Sequence, residues 1–170
     1  MLLGQGCNSK VYAVDDQTVV MVGKFERDMF KLAVHAMLGK LHSIQVKGDT
    51  YNAVIERMFD NRFMNDTELN MIYDLMDTVD RLNLQNHDGY EFLSKLCQQS
   101  NGDLQTVSNF VLSLKLSLNT LDFWVDNSPE NWMVDSSGNA VPFDLFDFAS
   151  QDLHASAQQA VLAILSDYMI

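Results

Sequence analysis

Three residues of this chain could do chemistry together: Asp126, Asn131 and Asp144. Asp126 opens the run Asp126-Asn127-Ser128-Pro129-Glu130-Asn131, and Asp144 follows Asn131 by thirteen positions. A carboxylate, an amide and a second carboxylate are a donor set for phosphoryl transfer. The first carboxylate meets an attacking hydroxyl, and the other two groups hold the Mg2+ that bridges nucleotide phosphates. Oxygen donors of this kind suit Mg2+. Asp147 is a competing ligand, three residues beyond Asp144. The spacing asks for one loop that carries Asp126 and Asn131 and a short hairpin that returns Asp144 to them. Asp135-Ser136-Ser137-Gly138-Asn139 is turn chemistry, and it lies where that hairpin must bend. The plain alternative is a polar surface hairpin, because Asp and Asn populate loops.

The elements that must position this trio can be traced from the first residues. Leu3-Gly4-Gln5-Gly6-Cys7-Asn8-Ser9-Lys10-Val11-Tyr12 places two glycines where a backbone could approach phosphates. Lys10 to Val14 reads as a strand, Asp15-Asp16-Gln17 as a turn, and Thr18 to Val22 as the partner strand. Apolar residues at 29, 32, 33, 36 and 37 predict a helix over Phe25 to Leu41. Ile44 to Val46 and Tyr51 to Arg57 are two further strands. Asn65-Asp66-Thr67-Glu68 starts a helix whose stripe is Leu69, Ile72, Leu75, Met76, Val79 and Leu82. Further helices are predicted over Gly89 to Gln98, Leu104 to about Leu121, and Leu153 to Tyr168.

Composition narrows the function classes. With 170 residues and 47% apolar content, the chain can bury one good core, which two small lobes could share. No run is long enough to span a membrane, and the first residues do not read as a signal peptide, so a cytoplasmic setting is expected. Two cysteines, Cys7 and Cys97, fit a reducing compartment. A net charge of −12 argues against nonspecific nucleic-acid binding and against anionic membranes, and it permits a basic protein partner. The four histidines, at 35, 42, 87 and 154, have no metal-ligand spacing.

From Leu3 to Phe148 the chain resembles a reduced form of the eukaryotic-like protein kinase superfamily, and within it the small early serine/threonine protein kinases of lytic podoviruses. The residues that carry the resemblance are Gly4-Gln5-Gly6 with Val11-Tyr12, Val19 to Gly23, Tyr51 to Met58, and Asp126 to Asp144. It implies an α+β fold over one domain, 1–170, with a small antiparallel-sheet N-lobe and one helix (about 1–58) and a reduced helical C-lobe (about 59–170). It implies ATP and Mg2+ as cofactors. Gly4, Gly6 and Ser9 would lie on the phosphates, and the backbone of Val54, Glu56 and Met58 on the adenine. Asp126 would be the catalytic carboxylate, and Asn131 and Asp144 the metal pair. It implies host proteins as substrates or targets, in the host cytoplasm if the chain is phage-encoded. The bland alternative for Tyr51 to Met58 is an ordinary buried strand.

The sequence departs from that family at its cations. Met21 stands where a strand lysine should meet the α- and β-phosphates, and Ser128 where the catalytic loop usually has a second basic residue. Lys10 and Lys24 are the nearest replacements, each out of phase with the inward face. Glu26 is the candidate for the helix glutamate that would pair with the missing lysine. Losing one such cation costs on the order of 3 kcal/mol, about a hundredfold in rate. The retained trio favours nucleotide binding with weak or unusual transfer. The alternatives are a pseudokinase and an acidic interaction protein that inhibits a host enzyme by binding it.

Overall fold

The computed structural model describes residues 1–6, 9–81, 90–100, 102–118, 123–125, 131–143, 146–148 and 155–170. They form two compact units: Met1–Arg57 with Ala155–Ile170, and Met58–His154. The fold is α+β, and its first unit holds an antiparallel five-stranded sheet with one helix following β3.

That sheet consists of β1 (Leu2–Gln5), β2 (Ser9–Ala13), β3 (Thr18–Lys24), β4 (Leu41–Lys47) and β5 (Thr50–Glu56), in the order β1-β2-β3-β5-β4. Asp15 makes the β2–β3 turn: its Oδ1 accepts the N–H groups of Gln17 and Thr18 at 2.8 and 2.7 Å. These backbone donors, Gln17 first, hold its carboxyl below the usual range. Alternation along β3 buries Val19 and Met21, whose partners on β5 are the buried Ile55 and Ala53.

Helix α1 (Phe25–Met37) follows β3 directly, with Glu26 and Asp28 in its first turn, where acidic residues complement the helix dipole. The helix was expected to reach Leu41 and stops four residues earlier. Gly39 takes φ +67° and donates its N–H to Ala36 O at 3.0 Å, a left-handed stop that frees Leu41 to open β4.

Met29, Phe30, Leu32, Ala33, Val34 and Ala36 are all buried, more of the circumference than one sheet can cover. The second cover is α5 (Ala155–Leu165), which packs on α1 through Ala157, Val161 and Leu165, spaced by one helical turn and fully buried. Burying a Val or Leu side chain contributes about 1.5–3 kcal/mol. The chain then ends along β4: Met169 forms a parallel bridge with Ile44, Ile170 N–H donates to Ile44 O at 3.0 Å, and the Tyr168 hydroxyl donates to Ala36 O at 3.3 Å. The lobe boundaries implied by the resemblance put residues 155–170 in the second lobe. Their apolar stripe is instead satisfied in the first unit.

The second unit contains α2 (Asp66–Arg81), α3 (Tyr90–Gln99) and α4 (Gly102–Leu118), with α3 packed on both α2 and α4. Ile72, Leu96 and Val107 are buried in it. Asn65 caps α2: its Oδ1 accepts Glu68 N–H at 3.0 Å, and its amide reaches back to Glu68 Oε2 at 3.4 Å. Among its described residues are also four short strands: β6 (Phe123–Val125), β7 (Trp132–Val134), β8 (Ala140–Pro142) and β9 (Phe146–Phe148). No helix among the described residues is long and apolar enough to cross a membrane.

Candidate functional site

The hairpin that the spacing of the trio required is present. β7 and β8 pair antiparallel through Trp132↔Pro142, Met133↔Val141 and Val134↔Ala140. Asp135 builds the bend. Its Oδ1 accepts from Ser137 N–H and Asn139 N–H at 2.9 and 3.0 Å, its Oδ2 accepts from the Asn139 amide at 3.0 Å, and Gly138 turns at φ +83°. Trp132, Val134 and Val141 are buried and anchor the hairpin. At its open end Phe143 N–H donates to Asn131 O at 2.8 Å. The residue that precedes Asp144 is therefore hydrogen-bonded to Asn131.

A second ladder brackets the first. β6 and β9 pair through Phe123↔Phe148, Trp124↔Asp147 and Val125↔Phe146. Val125 immediately precedes Asp126, and Phe146 lies two after Asp144. Asp126 and Asp144 themselves lie outside the described residues. The residues that flank them are brought together by these two nested ladders, and Asn131 is half-buried at the base of the inner one. Among the described residues no group of three His, Cys, Asp or Glu side chains is placed to hold a metal ion. The oxygen donor set of Asn131 with Asp144 is chemically suited to Mg2+.

Glu68 fastens the hairpin to α2, which the sequence did not foretell. Besides its part in the helix cap, its Oε2 accepts Ala140 N–H at 2.6 Å. Burial pushes its carboxyl above the usual range, and the nearby charge of Asp135 adds to the rise. The legible signal was Asn65-x-x-Glu68, which marks a helix start but cannot reveal a partner 72 residues away.

Gly4 lies within β1, opposite Val11. Gly6 N–H donates to Ser9 O at 2.9 Å, and Ser9 is a buried first residue of β2. A Cβ at Gly4 would meet no atom within 4 Å, so packing does not demand glycine there. Val54 sits in the middle of β5, paired with Val20 on β3 and Ser43 on β4. Glu56 N–H is engaged by Lys40 O, and Arg57 N–H by Gln17 O, each at 2.7 Å. Met58 is buried, and it belongs to the second unit.

Met21 is fully buried on the sheet face that α1 covers. Neither lysine replaces it. Lys10 pairs with Val22 and so points opposite to Met21, and it is exposed. Lys24 caps α1 and forms a surface pair with Asp49 at 3.3 Å. The helix carboxylate is also corrected: Glu26 is exposed, and the buried acid of α1 is Asp28, whose Oδ2 accepts the Tyr51 hydroxyl at 2.8 Å.

No protein-family model matches this sequence, and no curated protein matches it. Among solved structures, the chain is similar to one described as the GDP and kanamycin complex of APH(2")-IIia, with 11% identity, a TM-score of 0.38, and 98% of this chain and 76% of that chain covered. A likeness at that level fixes no function.

Proposed function

We propose that this chain binds a nucleoside triphosphate together with Mg2+ and transfers phosphoryl groups in a weak or unusual way. The observation that carries the reading is the nested pair of ladders, which gathers the flanks of Asp126, Asn131 and Asp144 from nineteen residues of sequence. In this reading Asn131 and Asp144 hold the cation, and Asp126 orients an incoming serine or threonine hydroxyl. Mg2+, when bound, neutralises phosphate charge. Gly4, Gly6 and Ser9 take the phosphates, and the stretch from Glu56 to Met58 meets the base, the main chain of Val54 being taken up by β3 and β4. The finer resemblance makes that base adenine and the acceptor a host protein.

A second reading is favoured by Met21. Met21 puts a buried thioether at that place, and Lys10 and Lys24 are both exposed, so neither of these two lysines takes the place of the strand cation. Nucleotide binding without transfer, or occupation of a basic host surface by this acidic chain, then becomes the function.

The test is thermal denaturation with ATP, with and without Mg2+, beside radiolabelled transfer by wild type and Asp126→Ala. Mg2+-dependent stabilisation supports the proposal. Transfer that survives Asp126→Ala removes Asp126 from its role. No stabilisation and no transfer, with a salt-sensitive protein partner, leaves the interaction reading.

A further inference from the structure

Lys40 lies where the end of α1, the start of β4 and the end of β5 meet. Its N–H donates to His35 O at 2.8 Å, and its carbonyl accepts Glu56 N–H at 2.7 Å. Its ammonium reaches both carboxylate oxygens of Glu56, at 3.2 and 3.1 Å. One residue thus holds Glu56 by main chain and by side chain. The next residue is held from the other neighbour, by Arg57 N–H to Gln17 O. The ion pair is also sheltered. Its side chains are 16% and 26% exposed, whereas those of the Lys24–Asp49 pair are 63% and 70% exposed. Water screens the second pair and contributes far less screening to the first.

We infer that Lys40 is a positioning residue for base recognition, because it sets the main-chain geometry at the end of β5. The inference rests on the proposed function, in which that stretch meets the base. Adenine offers an amino donor where guanine offers a carbonyl acceptor. Main-chain groups discriminate between them only if their direction is held, since hydrogen bonds weaken steeply off line. Two bonds to the Glu56 carboxylate and one to its N–H hold the strand end against twisting. The sequence hid this role, because Lys40 falls inside the helix predicted over Phe25 to Leu41.

The experiment uses the full chain as wild type, Lys40→Met, Lys40→Arg and Glu56→Gln. Hydrogen exchange of the nucleotide-free protein is followed at Glu56 and Arg57, and affinities for Mg2+·ATP and Mg2+·GTP are measured for each. Lys40→Met and Glu56→Gln are expected to speed exchange at both amides and to reduce the ratio of the two affinities about tenfold. Lys40→Arg keeps both near wild type. Glu56→Gln retains shape and an acceptor, so it serves if Lys40→Met fails to fold. Unchanged exchange overturns the clamp. Faster exchange with an unchanged ratio, in a wild type that discriminates, leaves Lys40 a structural residue and overturns the positioning role. A wild type that binds neither nucleotide overturns the proposed function and the base-reading role with it, while the exchange result still decides the clamp.

Discussion

Tyr51 donates its phenolic hydrogen to Asp28 Oδ2 over 2.8 Å, joining the interior strand β5 to helix α1 inside the first unit. A buried carboxylate needs such donors, because its desolvation is costly. Tyr51→Phe keeps the ring and its edge contact with Phe25 at 6.5 Å, and removes only the hydroxyl. The expected loss is about 1–3 kcal/mol, the range for taking one partner from a buried polar group. Urea denaturation measures it. A change within error would show that the bond adds nothing.

The buried His35 makes stability depend on pH. Burial, aided by the charge of Lys31, lowers its pKa from 6.5 to about 3. The unfolded chain therefore binds the proton more readily than the folded one between those values. The stability that neutral His35 provides is present above pH 6.5, and it falls as pH drops towards 3, by at most about 1.4 kcal/mol per pH unit. His35→Gln should flatten this slope. Denaturation midpoints of both proteins between pH 4 and 7.5 would test it, and parallel profiles would remove His35 as the cause.

Met21→Lys places an ammonium where a fully buried thioether now packs. The expected outcome is a loss on the order of 3 kcal/mol with no gain in phosphoryl transfer, because the desolvated charge destabilises the sheet. Denaturation and radiolabelled transfer are measured together. Activity that rises with stability retained would instead show that the site accepts the missing cation.

Asp144→Asn should abolish Mg2+-dependent nucleotide binding, and Asp147→Asn should leave it in place. The backbone of Asp147 is committed to the outer ladder opposite Trp124, whereas Asp144 follows the residue bonded to Asn131. Titration with Mg2+ at fixed nucleotide distinguishes the two variants. The reverse pattern would reassign the ligand.

Glu68→Ala removes both a helix-cap partner and the acceptor of Ala140 N–H. About 1–2 kcal/mol of stability should go with it. Because Ala140 opens the strand that leads to Asp144, Mg2+·nucleotide affinity should fall as well. Glu68→Gln, which keeps an acceptor, should recover most of both. Affinity unchanged in a destabilised Glu68→Ala would detach the helix from the site.

Local chemistry was enough to read β2 to β5, the turns and most of the helices, but not β1, β6 or β9. Asp15, Asp135 and Gly138 act within a few residues of themselves, and the period-2 and period-3.6 patterns of 19–21 and 29–36 record which faces are buried. The β7–β8 hairpin followed from the same logic. Identity and spacing made Asp126, Asn131 and Asp144 candidates. What brings their flanks together is the register of two ladders, and register depends on partners distant in sequence.

Other features were decided by tertiary structure alone. Glu26 and Asp28 are equivalent helix-start acids in the sequence, and only the position of Tyr51 makes Asp28 the buried one. Lys40 is an unremarked lysine until β5 ends beside it. The last helix shows an apolar stripe but no address, and α1 supplies the second surface that stripe needs. Hydrophobic burial is non-directional: it says that a face must be covered, and only the assembled chain says by what.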